Sequence, residues 1–176
     1  MSTLLCVRSI ARPYIVELSK NTNETVCLSG WEADKIVVLE RASGVGSLAV
    51  DATIGIGGNP THSSIGKLLL SHVEEGKLPE ELHRFLAEKG ADAENHSLPL
   101  LQEIARIRRH DHCCARNDVQ EGVSTLSHLV ETCAGNFVTS ILVATERLEE
   151  VRKEFASKLQ KAARSLEIDL LAHLSE

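Results

Sequence analysis

Gly122-Val-Ser-Thr-Leu-Ser-His-Leu-Val-Glu131 and Asn136-Phe-Val-Thr-Ser-Ile-Leu-Val-Ala-Thr145 decide the fold. Both are strand-length runs rich in β-branched and apolar residues. The second is apolar on both faces, at Phe137, Val138, Ile141, Leu142 and Val143, which predicts a central strand covered on both sides. A shorter run, His112 to Arg116, precedes them. Three successive strands without a helix between them form hairpin-like blocks, so the sheet is predicted to be antiparallel and layered by helices rather than doubly wound.

Thr145 is the expected N-cap of a long final helix, with Glu146, Glu149 and Glu150 favourably placed against its dipole. Leu148, Val151, Phe155, Leu159, Ala162, Leu166 and Leu170 form its expected buried stripe. At the other end of the chain, Leu4, Val7, Ala11, Tyr14 and Leu18 mark an amphipathic helix that Pro13 should kink or restart. Glu24 to Gly30 and Lys35 to Ala42 read as a hairpin, and Leu48, Val50, Ala52 and Ile54 alternate as a third strand. Gly55-Ile-Gly-Gly-Asn-Pro60 ends that strand and opens a helix capped by Asn59 or Thr61. Helices from Glu80 to Lys89 and from about Ser97 to His110 complete the order, Pro79 falling in the first turn of the former and Gly90 ending it.

With 176 residues, 43% hydrophobic and 25% charged, the chain suits one folded domain. No apolar run approaches the roughly 20 residues of a membrane span and no secretory signal opens the chain, which predicts a cytoplasmic protein. A net charge of -6 argues against unaided DNA binding, because duplex binders displace counterions with a basic face. Arg106, Arg108, Arg109 and His110 gather at a helix C-terminus, where the dipole alone accounts for cations. Five cysteines with no C-x-x-C pair indicate neither a disulfide framework nor a structural zinc site.

The glycine-rich turn is not a nucleotide motif. A phosphate loop would need Gly at Thr61 and Ser or Thr at Leu68, and a dinucleotide fingerprint would need Gly at Pro60. Thr61, His62, Ser63 and Ser64 remain, either as anion-binding groups at a helix N-terminus or simply as caps. His110-Asp-His-Cys-Cys114 is dense in metal-ligand types, but on a strand only His112 and Cys114 share a face, so no metal is expected.

The chain resembles the C-terminal effector-binding domain of the IclR family of bacterial transcription regulators over nearly its whole length. Ala11-Arg-Pro-Tyr-Ile-Val-Glu-Leu18 and Asn23-Glu-Thr-Val-Cys-Leu28 look like the family's first helix and strand, and Lys35-Ile-Val-Val-Leu-Glu-Arg41 like its second. Thr61-His-Ser-Ser-Ile-Gly-Lys-Leu-Leu-Leu-Ser71 is similar to the family's Gly-Lys helix. Ile107-Arg108, Glu121-Gly-Val123, the strand from Asn136 to Ala144 and Lys161-Ala-Ala-Arg-Ser-Leu166 follow in family order.

That resemblance implies an α+β fold, a GAF-like curved antiparallel sheet flanked by helices, with no catalytic role and no cofactor. It implies a small-molecule effector pocket, with Thr61, Ser63, Ser64, Ile65 and Gly66 at its mouth. His112, Cys114, Val123, Thr125, Leu142 and Ala144 are candidates for its sheet wall, although only one face of a strand can look in. It also implies a homodimer or homotetramer, and DNA contact only through an N-terminal winged helix-turn-helix for which residues before 11 leave no room.

Departures occur at Asn59, Thr61, Asp111-His112 and Ser127-His128-Leu129. Leu142 and Ala144 stand where many relatives carry serine, which points to a partly apolar organic acid as effector. Two other readings stay open: a thiol- or metal-dependent enzyme using Cys114 with His112 or His128, and a dimerisation module that holds no ligand.

Overall fold

The computed structural model describes residues 3–45, 57–88 and 93–174. Six strands form one antiparallel sheet: β1 (Thr25–Glu32), β2 (Lys35–Ala42), β3 (Gly57–Gly58), β4 (His112–Gln120), β5 (Val123–Thr132) and β6 (Gly135–Ala144), ordered β3-β2-β1-β6-β5-β4. The doubly apolar run is β6, and it lies inside the sheet between β1 and β5. The antiparallel, helix-flanked α+β architecture expected from the sequence is the observed one. The alternating run from Leu48 to Ile54 and the stop at Gly90 lie outside the described residues.

Two long helices cover one face of the sheet, α1 (Thr3–Thr22) and α5 (Leu148–Leu174). Their stripes meet Val26, Leu28, Leu126, Val130, Phe137 and Ile141 in the main core. Three shorter helices occupy the other side, α2 (Ser64–Leu70), α3 (Leu78–Ala87) and α4 (Ala93–Ile107). Ile65, Leu68 and Leu69 of α2 pack on Ile36, Leu129 and Val138, while α3 and α4 build a separate core around Phe85 and Ile104.

Several boundaries differ from the sequence reading, each for a physical reason. Helix α1 runs through Pro13: Ser9 and Pro13 both lie on its exposed side, where the carbonyl that loses its partner stays hydrated, and buried Val7, Ala11, Ile15 and Leu18 hold the other side. Helix α4 starts a turn earlier than Ser97 and ends at Ile107, held against α3 by Leu100 and Ile104. Thr145 opens a 3-10 turn, and its hydroxyl donates to Asn117 Oδ1 at 2.9 Å rather than capping α5. In α5 the buried alanine is Ala163, with Ala162 half-buried, because a straight helix drifts from a strict seven-residue repeat.

A bulge in the β1–β2 ladder sets the faces of β2. Leu28 pairs with Glu40 and Ser29 with Val38, so Leu39 is the extra residue. Leu39 and Glu40 therefore both lie on the α1 side, where Glu40 accepts a hydrogen bond from Arg12 at 3.0 Å. Beyond the bulge the phase is inverted. Arg41 pairs with Cys27, and Cys27 clusters with Val38, Val123 and Leu142 on the α2 side.

Candidate functional site

Register places one residue from each of the five long strands in a row across the α2 face. Arg41, Cys27, Ser140, Ser127 and Cys113 are successive partners, and Thr25, Leu142, Thr125 and Ala115 form the adjacent row. This face is unusually rich in small polar groups for a buried surface. Ser127 and Ser140 are bonded to each other at 2.8 Å. Thr25 Oγ1 and Ser29 Oγ, on residues no more than 1% exposed, have no hydrogen-bond partner among the described residues, and neither does the buried Nε of Arg41.

At one end of the band lies a cluster built on a residue that the sequence reading missed. Asp118 Oδ2 accepts from the backbone N–H of Ser64 at 2.8 Å and lies 2.5 Å from Ser64 Oγ and 3.0 Å from Thr125 Oγ1. The two hydroxyls are 2.8 Å apart, and with one proton each they supply two hydrogen bonds to these three contacts. The anion at the start of α2 is therefore the protein's own carboxylate. Asp118 escapes a strand-pattern reading because it stands where the β4–β5 ladder shifts between Ala115 and Gln120, beside Asn117 with its positive φ of 50°.

The structure distributes the predicted mouth residues among several tasks. Asn59 caps the 3-10 turn Pro60–His62, accepting from Thr61 N at 3.0 Å and Thr61 Oγ1 at 2.6 Å. Ser63 caps α2, accepting from Gly66 N at 3.0 Å. Ile65 is core. Gly66 permits close approach of chain segments, since a Cβ there would fall 2.1 Å from Pro60 O. Of the five, Ser64 is brought against a predicted wall residue, Thr125.

The predicted wall residues separate by face. Val123, Thr125, Leu142 and Ala144 share the α2 face through the pairs Val123–Ala144 and Thr125–Leu142. His112 and Cys114 pair with His128 and Leu126, whose side chains lie on the α5 side. Since only one strand face can look into a pocket, the six candidates divide here: alternation along β4 sends His112 and Cys114 to the face opposite the other four. There they line a cavity of about 290 Å³ between the β4–β5 edge and α5.

Thiol chemistry finds little support from the electrostatics. Burial pushes the Cys27 and Cys113 thiols up to about 12, and it raises Cys114 despite the nearby Arg152 and Arg116 guanidinium groups. Among the described residues, no group of three or more His, Cys, Asp or Glu side chains is placed to hold a metal ion. No helix among them is long and apolar enough to cross a membrane.

Comparison with known proteins places this geometry in a family. The HTH-type transcriptional regulator TtgV of Pseudomonas putida is 27% identical over 145 residues, 80% of this chain and 54% of that protein, so the chain spans about half that relative's length. The solved structure of transcriptional regulator YaiJ superposes with a TM-score of 0.83 at 22% identity, covering 95% of this chain and 96% of that one. An IclR homolog complexed with 4-hydroxybenzoate from Microbacterium hydrocarbonoxydans superposes with a TM-score of 0.81 at 20% identity, covering 97% and 70%. Residues 3–168 match the family described as bacterial transcriptional regulator IclR C-terminal, and the chain belongs to that family.

Proposed function

We infer that residues 1–176 form a single effector-sensing domain, and that its ligand is a small, partly apolar organic acid bound on the α2 face of the sheet. One observation carries the reading. Thr25 Oγ1, Ser29 Oγ and Arg41 Nε are buried on that face without partners among the described residues. An unmet buried polar group costs about 1–3 kcal/mol, and a polar ligand would relieve that cost. Arg41 is the natural holder of a carboxylate, because its guanidinium offers a planar fork of donors. Asp118 repels an acid at the other end and accepts a hydrogen bond from a ligand hydroxyl instead.

Three interstrand gaps separate Arg41 from Ser127, roughly 14 Å between their Cα atoms, and the arginine side chain closes part of that span. A one-ring acid with a polar group at its far end matches the remainder in length. The 4-hydroxybenzoate held by the Microbacterium homolog has this form. Leu142, Val123 and Val38 supply the apolar contact.

Binding would act by population shift. A ligand that prefers one arrangement of a homodimer or homotetramer stabilises it, and DNA-binding heads joined to the domain in a full-length cytoplasmic regulator would respond. The domain itself binds and does not catalyse.

A thermal-shift titration tests this reading, with benzoate and 4-hydroxybenzoate compared against benzyl alcohol. At 100 times its Kd an acid ligand should stabilise the fold by about 2.7 kcal/mol. Arg41→Gln should weaken binding at least tenfold. Equal stabilisation by the alcohol, or unchanged affinity in Arg41→Gln, would overturn the assignment.

A further inference from the structure

The cavity on the α5 side lies at the margin of the main core, which supplies Leu126 and Leu159 to its wall, and opens on the face of the sheet opposite α2. Its volume of about 290 Å³ approaches that of small ligand pockets, and a void of roughly 150 Å³ already accommodates a benzene ring. Leu126 and Leu159, both buried, form apolar wall, and the imidazoles of His112 and His128 lie nearly parallel, 6.3 Å apart at 19°.

Hydrogen bonding orients both rings. Nδ1 of His112 is 2.6 Å from His110 O, and Nδ1 of His128 is 2.8 Å from Leu129 O. A carbonyl can only accept, so Nδ1 carries the proton in each ring, and Nε2 of a neutral imidazole keeps its lone pair for an incoming donor. Burial, with smaller effects from Arg164 and His112, lowers the pKa of His128 and favours the neutral ring. Arg152 stands on the exposed side of the cavity and forms no salt bridge with any described residue, whereas its neighbour Arg116 is paired with Glu149.

We propose that this cavity is a second small-molecule site, separate from the effector site on the α2 face, and that it takes an aromatic acid. The ring lies among Leu126, Leu159 and the two imidazoles, where stacking adds to burial. The acid group reaches Arg152, and any hydroxyl or N–H on the ring donates to His128 Nε2. Occupancy at this position ties the outer strands to α5 and so bears on how the sheet edge and the long helix move together.

Histidine ring NMR reads the site directly, with benzoate as probe and cyclohexanecarboxylate as its non-aromatic counterpart. Benzoate should shift the His112 and His128 ring signals and bind at least fivefold more tightly than the saturated acid. Arg152→Gln, at an exposed position, should weaken that response tenfold or more, and Ala156→Trp, which fills the cavity from α5, should abolish it. Arg41→Gln should leave it intact even while weakening binding on the other face. Ring signals that stay still at millimolar benzoate would overturn the proposal, as would a response lost in Arg41→Gln and kept in Arg152→Gln.

Discussion

The two faces of the sheet use the same strands for different ends. On the α1 and α5 side, large apolar residues such as Phe137, Ile141 and Leu126 meet the stripes of two long helices in a continuous core. On the α2 side, alternate positions of those strands carry Thr25, Cys27, Ser29, Thr125, Ser127 and Ser140, and a seven-residue helix covers part of them. The first face is built for stability. Among the described residues the first face leaves the Thr139 hydroxyl unmet, whereas the second leaves those of Thr25 and Ser29 unmet together with the Nε of Arg41, and it is that combination of hydroxyls and a cation that suits it to a polar ligand.

If that division is right, the largest effect should come from the helical side. Phe155→Ala, at a position 4% exposed, should cost about 3–5 kcal/mol in urea unfolding without altering acid affinity per folded molecule. A loss below about 1 kcal/mol would mean that α5 is less of a clamp than its burial implies.

Next in size is Asp118→Ala. It strands the Ser64 N–H and leaves the two hydroxyls only each other, and it removes the negative charge from the start of α2. The expected cost is about 1–3 kcal/mol, read from the thermal midpoint converted through the unfolding entropy. Ser64→Ala should cost less, because the backbone bond to Asp118 survives.

Affinity changes on the α2 face follow. Calorimetry of benzoate with Thr25→Val, a near-isosteric change that deletes one unmet hydroxyl, should show a stability gain and weaker binding by a few fold. A stability loss instead would show that the hydroxyl is satisfied by bound water in solution.

The smallest effect is the pH dependence of the helical side. The folded pKa of His128 is depressed from its ordinary 6.5, chiefly by burial, so the folded state binds fewer protons than the unfolded chain below that pH. Its contribution is fully present above 6.5 and fades as pH falls toward the depressed value. Urea midpoints compared between wild type and His128→Asn from about pH 8 to pH 5 should converge on the acid side. A parallel offset across the range would remove His128 from the account.

Much of this was readable from local pattern. The doubly apolar run at Phe137–Val143 marked β6 as interior, and the helical stripes of α1 and α5 were legible with one alanine shifted. Ser64 and Thr125, chosen as mouth and wall, lie in contact. Asp118 was not legible, since it sits in an irregular stretch of β4 where period-two reasoning fails. Arg41 was equally hidden: without the bulge at Leu39 it would have pointed at α1, and Glu40 would have faced α2.

Spacing along the chain is a local property, so the amino-acid order was enough for the elements, their sequence and the antiparallel class. It also established that His112 and Cys114 share one face of a strand. Which face that would be, and what it would meet, depends on pairing with β5 and on where α5 lies, contacts between residues distant in sequence. Alternation specifies two sides of a strand but does not label them. Register, the bulge in β2 and the packing of helices supplied the labels, assigning Arg41 and Asp118 to one face and the two histidines to the other.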